Sequence, residues 1–156
     1  MKISDFLSKE FFIPELKSSD KDEAINELID LFSSDPRVED IEDVRKNVFE
    51  REKVMSTGIG KGFAVPHGKS DSIKEIIAAF GRSTKGIDFD AMDGQPVNLI
   101  FLIVGRNDSI SIHIKLLSRI SRMMNKDDFR NRLLNAANAE ELHKVFIEEE
   151  SNYFDL

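Results

Sequence analysis

Glycines, hydroxyls, cations and a histidine crowd into Arg51 to Ser70, REKVMSTGIGKGFAVPHGKS. Gly58, Gly60 and Gly62 alternate with Ile59 and Lys61, a pattern that lets the backbone take positive φ and approach an anion with no Cβ in the way. Ser56 and Thr57 add hydroxyl donors beside them. Phe63, Ala64 and Val65 read as a short buried strand, and Pro66, which has no N–H for a sheet ladder, predicts that the chain leaves the sheet there. His67 would then stand at a strand's end, where a rigid element meets a loop. Imidazole changes charge near neutral pH, so its neutral ring is an available nucleophile. Together these residue types describe a phosphate site.

Gly68-Lys69-Ser70 supplies the end of a nucleotide P-loop, Gly-x-x-x-x-Gly-Lys-Ser/Thr, but the spacing excludes it: the earlier glycine that motif requires falls on Phe63, and Gly62 is one residue too far. Pro66 also removes an N–H from a loop whose purpose is to aim N–H groups at phosphate. Asp71-Ser72-Ile73-Lys74-Glu75 is a poor opening for the long helix that follows a P-loop. The remaining reading puts the phosphate on His67 itself.

Arg51-Glu52, Ser56-Thr57-Gly58-Ile59-Gly60 and Pro66-His67-Gly68-Lys69 together resemble the active-site signature of the fructose/mannitol-type enzyme IIA domains. These belong to the bacterial phosphoenolpyruvate-dependent phosphotransferase system (PTS) and include the nitrogen-regulatory IIA proteins. Asp88 to Val97, followed by an apolar strand, resembles the family's next segment, and Ser111 to Leu117 resembles the helix that carries its second histidine. The resemblance implies a protein-to-protein phosphotransferase. His67 would take a phosphoryl group from the phosphohistidine of an HPr-type carrier protein. It would then hand the group to an enzyme IIB, or use it as a signal that changes which regulatory target protein is bound. Arg51 is the guanidinium suited to fork onto two phosphoryl oxygens, and His113 would supply a second donor. Ser56, Thr57, Gly58 and Gly60 are expected to bind the phosphate, with no metal or other cofactor required.

Several elements must bring these residues together. Asp20, with Glu23 three positions on, opens a helix whose stripe is Ala24, Ile25, Leu28, Ile29 and Phe32, stopped by Ser33-Ser34-Asp35-Pro36. A second helix is predicted from Ile41 through Glu50, with Ile41, Val44 and Val48 on one face and Arg51 at its C-terminal end. Strands are predicted at Gly62 to Val65, Ile76 to Arg82 and Val97 to Val104. Three more helices follow: Ser111 to Asn125, Asp128 to Ala137, and Ala139 to Glu149 opened by Asn138 with Glu141. His143, among Glu140, Glu141 and Lys144, is expected to be exposed and without function. Strands interspersed with helices give an α/β fold. By resemblance, this is a single domain over 1–156 with a mixed β-sheet flanked by helices on both sides.

Composition agrees with a globular chain. The 156 residues are 40% hydrophobic and 33% charged, outside the disordered and membrane classes. Leu99 to Val104 is the longest apolar run, far short of the roughly 20 residues of a membrane span, and MKISDFLSKE has no signal-peptide core. The expected compartment is the cytoplasm. The chain has no cysteine, which excludes disulfides and thiolate chemistry. The net charge of −7 argues against nucleic acid as a partner.

Overall fold

The computed structural model describes residues 2–154. Two short 3-10 turns, Ile3–Asp5 and Lys9–Phe11, precede the first strand. Helix α1 (Lys21–Asp30) opens on Asp20, whose carboxylate accepts the Glu23 amide at 2.8 Å, and it buries Ala24, Ile25, Leu28 and Ile29 as its stripe predicts. Phe32 is buried just beyond its end. Helix α2 (Ile41–Val54) opens on Asp40 and continues for about a turn past its predicted end at Glu50. Helices α3 (Ile110–Met124), α4 (Asp127–Asn135) and α5 (Ala139–Phe154) complete the set. Asn138 caps α5 through the Glu141 amide at 2.9 Å, while the Glu141 carboxylate reaches back to the Ala137 amide.

Six strands form one mixed sheet: β1 (Phe12–Ile13), β2 (Gly58–Gly60), β3 (Phe63–Ala64), β4 (His67–Lys69), β5 (Ile77–Ile87) and β6 (Val97–Gly105). The long apolar β6 lies at its centre, antiparallel to β5 and parallel to β3 and β4. Strand β1 pairs parallel with β5, and β2 pairs antiparallel with β3. The chain does not leave the sheet at Pro66. Phe63 pairs with Leu99 and His67 with Ile103, so one register runs through the proline. Pro66 lacks a donor, yet its carbonyl still accepts the Ile103 amide at 3.2 Å, and β6 is long enough to resume pairing beyond it. His67 therefore begins a strand instead of ending one.

Helices cover both faces of this sheet. On one, α2 lies so close to β4 that a Cβ on Gly68 would come within 3.0 Å of the Val48 backbone nitrogen. On the other, Phe146 of α5 meets Phe80 of β5 edge-on at 5.2 Å and Phe129 of α4 at 5.1 Å. Each such ring contributes about 1.5–3 kcal/mol by burial, and each edge-to-face pair adds about 1 kcal/mol. His143 departs from expectation: it is half-buried, with its ring 5.7 Å from Phe12, because the N-terminal segment packs against α5. Arg82 is buried and donates to the carbonyls of Pro14, Leu133 and Ala136 at 2.7–2.8 Å, tying that segment and the end of α4 to β5. No helix among the described residues is long and apolar enough to cross a membrane.

Candidate active site

Helix α2 is anchored over β4 at two points. Near its start, Asp43 accepts the hydroxyls of Ser70 and Ser72 at 2.6 and 3.2 Å. In its middle, Gly68 removes the side chain that would hold the helix backbone away from the strand. That placement carries the last turn of α2, with Arg51, alongside His67. Arg51 Nη1 donates to the Met55 carbonyl at 3.1 Å, satisfying one of the acceptors that a helix end leaves open.

The His67 ring is oriented by the backbone two residues before it. Nδ1 lies 2.9 Å from the Val65 carbonyl, and because a carbonyl only accepts, Nδ1 carries the proton and Nε2 the lone pair. Burial lowers the His67 pKa, the Val65 bond opposes that, and the Arg51 and Lys69 cations lower it further while Glu52 raises it. The ring is thus neutral at pH 7, as a nucleophile must be.

His113 reaches the same place from the first turn of α3. Its ring centroid stands 5.5 Å from that of His67, with the planes 53° apart. The side chain is buried, neither ring nitrogen has a hydrogen-bond partner among the described residues, and burial holds its pKa down at about 4. Gly105, at the end of β6, leaves its space: a Cβ there would collide with His113 Nδ1.

Two adjoining hollows of about 260 and 520 Å³ share Arg51, His67 and Leu117 in their walls. Ser56 and Thr57 line the first, and Lys69 and His113 line the second. Gly58 and Gly60 line neither, being buried in the β2–β3 hairpin behind. Both hydroxyls of this loop are already engaged. The Ser56 hydroxyl donates to the Phe89 carbonyl and accepts the Gly58 amide, and the Thr57 hydroxyl and amide both donate to Glu52. Asp93 accepts the amide of Lys61, which holds a left-handed φ of 58° at the hairpin tip, and the Met92 amide donates to the Gly58 carbonyl. Asp88 to Gly94 therefore braces the loop. Among the described residues no group of three or more His, Cys, Asp or Glu side chains stands ready for a metal ion.

Sequence reading missed Glu52 as a structural centre of the site. Its signal was present: Glu52 occupies the next place on the Val44–Val48 stripe of α2, four residues on, where a core side chain is due.

Residues 5–149 match the family model "Phosphoenolpyruvate-dependent sugar phosphotransferase system, EIIA 2". The chain belongs to that family. Among curated relatives of this EIIA-type protein, the fructose-specific EIIABC component of Bacillus subtilis is 34% identical over 136 residues, or 87% of the chain. The chain spans only 21% of that relative's length. A nitrogen regulatory protein of Bradyrhizobium diazoefficiens is 34% identical over 149 residues, covering 93% of the chain and 94% of the relative. The crystal structure of nitrogen regulatory protein IIA-Ntr from Neisseria meningitidis superposes with a TM-score of 0.85 at 29% identity, covering 92% of this chain and 98% of that one. This EIIA domain is thus related both to sugar-specific and to nitrogen-regulatory members.

Proposed function

We propose that this chain is a phosphohistidine carrier of the sugar phosphotransferase system, accepting a phosphoryl group on Nε2 of His67 from an HPr-type phosphohistidine and passing it to an enzyme IIB. The observation that carries the reading is the Val65 carbonyl on His67 Nδ1, which leaves the lone pair on Nε2 in a cleft shared with Arg51 and His113. In the transfer a bond forms between Nε2 and phosphorus as the donor's N–P bond breaks, and the donor imidazole leaves. The Nδ1 proton stays on Nδ1, donated to the Val65 carbonyl. Phosphoryl transfer of this kind depends on positioning and on neutralising the equatorial oxygens. Arg51 supplies the charge, keeping Nη1 on the Met55 carbonyl while its remaining N–H donors meet the phosphoryl oxygens, and His113 supplies a further hydrogen bond. With the Ser56 and Thr57 hydroxyls and the Thr57 and Gly58 amides engaged internally, and Gly60 buried behind them, these four residues act chiefly by shaping the wall. Around the mouth of the cleft, Val54, Met55, Ile59, Met92 and Ile114 are large apolar side chains 46–79% exposed, a rim suited to protein partners.

Incubation with phosphoenolpyruvate, enzyme I and HPr is expected to give an acid-labile label that disappears in His67→Ala. Absence of label, or its survival in that variant, refutes the reading.

A second reading is supported by the end-to-end match to a nitrogen regulatory protein. In it the chain is a regulatory IIA protein whose phosphorylation state decides which target protein it binds. Pull-downs with the phosphorylated and unphosphorylated chain separate the two: a state-dependent target outside the transfer chain favours regulation, and an enzyme IIB favours transport.

A further inference from the structure

Behind Arg51 lies a buried polar circuit that the transfer chemistry leaves unused. Glu52 is a carboxylate on an apolar helix stripe, only 5% exposed. Oε1 accepts the Thr57 hydroxyl at 2.6 Å, and Oε2 accepts the Thr57 amide at 2.8 Å while lying 3.0 Å from Lys21 Nζ. Lys21, the first residue of α1, also stands 5.1 Å from the centre of the Phe89 ring. The carbonyl of Phe89 accepts the Ser56 hydroxyl, and Ser56 adjoins Thr57. Five residues thus close a circuit joining the start of α1, the end of α2, the hydroxyl loop and the segment after β5.

Burying a carboxylate with an ammonium carries a desolvation penalty that a packed apolar side chain would avoid, so stability alone gives no reason for glutamate on this stripe. What Glu52 does hold is the turn from Val54 to Gly58, and that turn contains the carbonyl to which Arg51 is bonded. We propose that Glu52, itself fixed by Lys21, is a positioning residue for phosphoryl transfer: it locks the Met55–Thr57 turn and so aims the Arg51 guanidinium at the phosphoryl group on His67. The inference rests on the phosphocarrier reading.

The test compares Glu52→Gln, Thr57→Val, Lys21→Gln and Lys21→Arg with the parent chain. Transfer from phosphorylated HPr is measured with maximal rate and apparent donor affinity separated, and the histidine rings of the unphosphorylated proteins are titrated by NMR. Glu52→Gln is expected to lower the maximal rate on the order of 100-fold. Apparent affinity should stay within about threefold, since the apolar rim is untouched. Thr57→Val and Lys21→Gln lower the rate in the same direction, and Lys21→Arg retains it. In Glu52→Gln the His67 ring should titrate at lower pH, because Glu52 is the carboxylate that favours its protonation while Arg51 and Lys69 oppose it and His113 stands alongside.

A folded Glu52→Gln variant with an unchanged maximal rate overturns the proposal. So does a loss confined to affinity, or equal losses in Lys21→Gln and Lys21→Arg. Should Glu52→Gln fail to fold, Thr57→Val and the Lys21 pair decide on the same readouts. A parent chain that accepts no phosphoryl group refutes the phosphocarrier reading instead. The His67 titration in Glu52→Gln then still judges Glu52, and its failure to move in that variant overturns the positioning role.

Discussion

On the α2 flank of the cleft, Arg51 is bonded to Met55, Glu52 to Thr57 and Lys21, and Asp43 to Ser70 and Ser72. On the α3 flank, His113 has no partner for either ring nitrogen among the described residues, and its α3 neighbours in the cleft wall are the apolar Ile114 and Leu117. An orphaned buried polar group costs about 1–3 kcal/mol, so the two flanks were built under different rules. The first is completed by the chain's own groups before any ligand arrives. The second leaves two ring nitrogens without partners, so the cleft is braced on one flank and unpaired on the other.

The sharpest way to break this contrast is to remove the preorganised cation. Arg51→Ala is expected to lower the transfer rate about 10²–10³-fold, with the unfolding midpoint little changed; unchanged transfer kinetics would place the charge elsewhere.

Acid stability probes the other flank. His113 has its pKa lowered from 6.5 to about 4, so the unfolded chain takes up this proton first. The contribution of His113 is present in full above pH 6.5 and is lost as pH falls towards about 4, a total of roughly 3 kcal/mol. The lowered pKa of His67 acts in the same direction. Urea unfolding between pH 7 and pH 4 should show a steeper loss in the parent than in His113→Asn; identical pH slopes would contradict the buried, neutral ring.

Alanine at the two close-packed glycines sharpens the comparison further. Gly68→Ala presses on the backbone of α2 and Gly105→Ala on the ring of His113, and each is expected to destabilise by about 1–3 kcal/mol. Calorimetry gives the stability loss, and NMR shows where it falls. Gly68→Ala should disturb the resonances of α2 and Gly105→Ala those of His113, with spread to the opposite flank arguing that the two are one unit. The smallest effect is expected from Asp93→Ala, which removes the acceptor of the Lys61 amide. A loss of about 1 kcal/mol and faster exchange of that amide would check it.

Much of this design was legible before any coordinates. The cap at Asp20, the stripes of α1 and α2 and the apolar β6 follow from residue types and spacing, whereas the association of Arg51, His67 and His113 came from the family resemblance. What escaped had physical causes. Strands β1, β2 and β4 are two or three residues long, too short for a period to show, and exist because β5, β3 and β6 offer them an edge. Pro66 reads as a stop only while its missing amide is considered without its carbonyl. Glu52 was given no role of its own because the predicted helix stopped at Glu50, which left it off the stripe that the longer α2 extends to it. The half-burial of His143 depends on Phe12, more than a hundred residues away in the chain, which no local pattern reveals.

The bond from Arg51 to the Met55 carbonyl gives the protein its own indicator of occupancy. An anion taken up by the remaining N–H donors of the same guanidinium would change the polarity of the bond that Nη1 gives to Met55, at the end of α2 and away from the sheet. The Met55 carbonyl carbon and the Ser56 amide that follows it therefore form a two-atom spectroscopic reporter. Their chemical shifts would read the fraction of molecules loaded at a given moment, with no label attached and no partner captured.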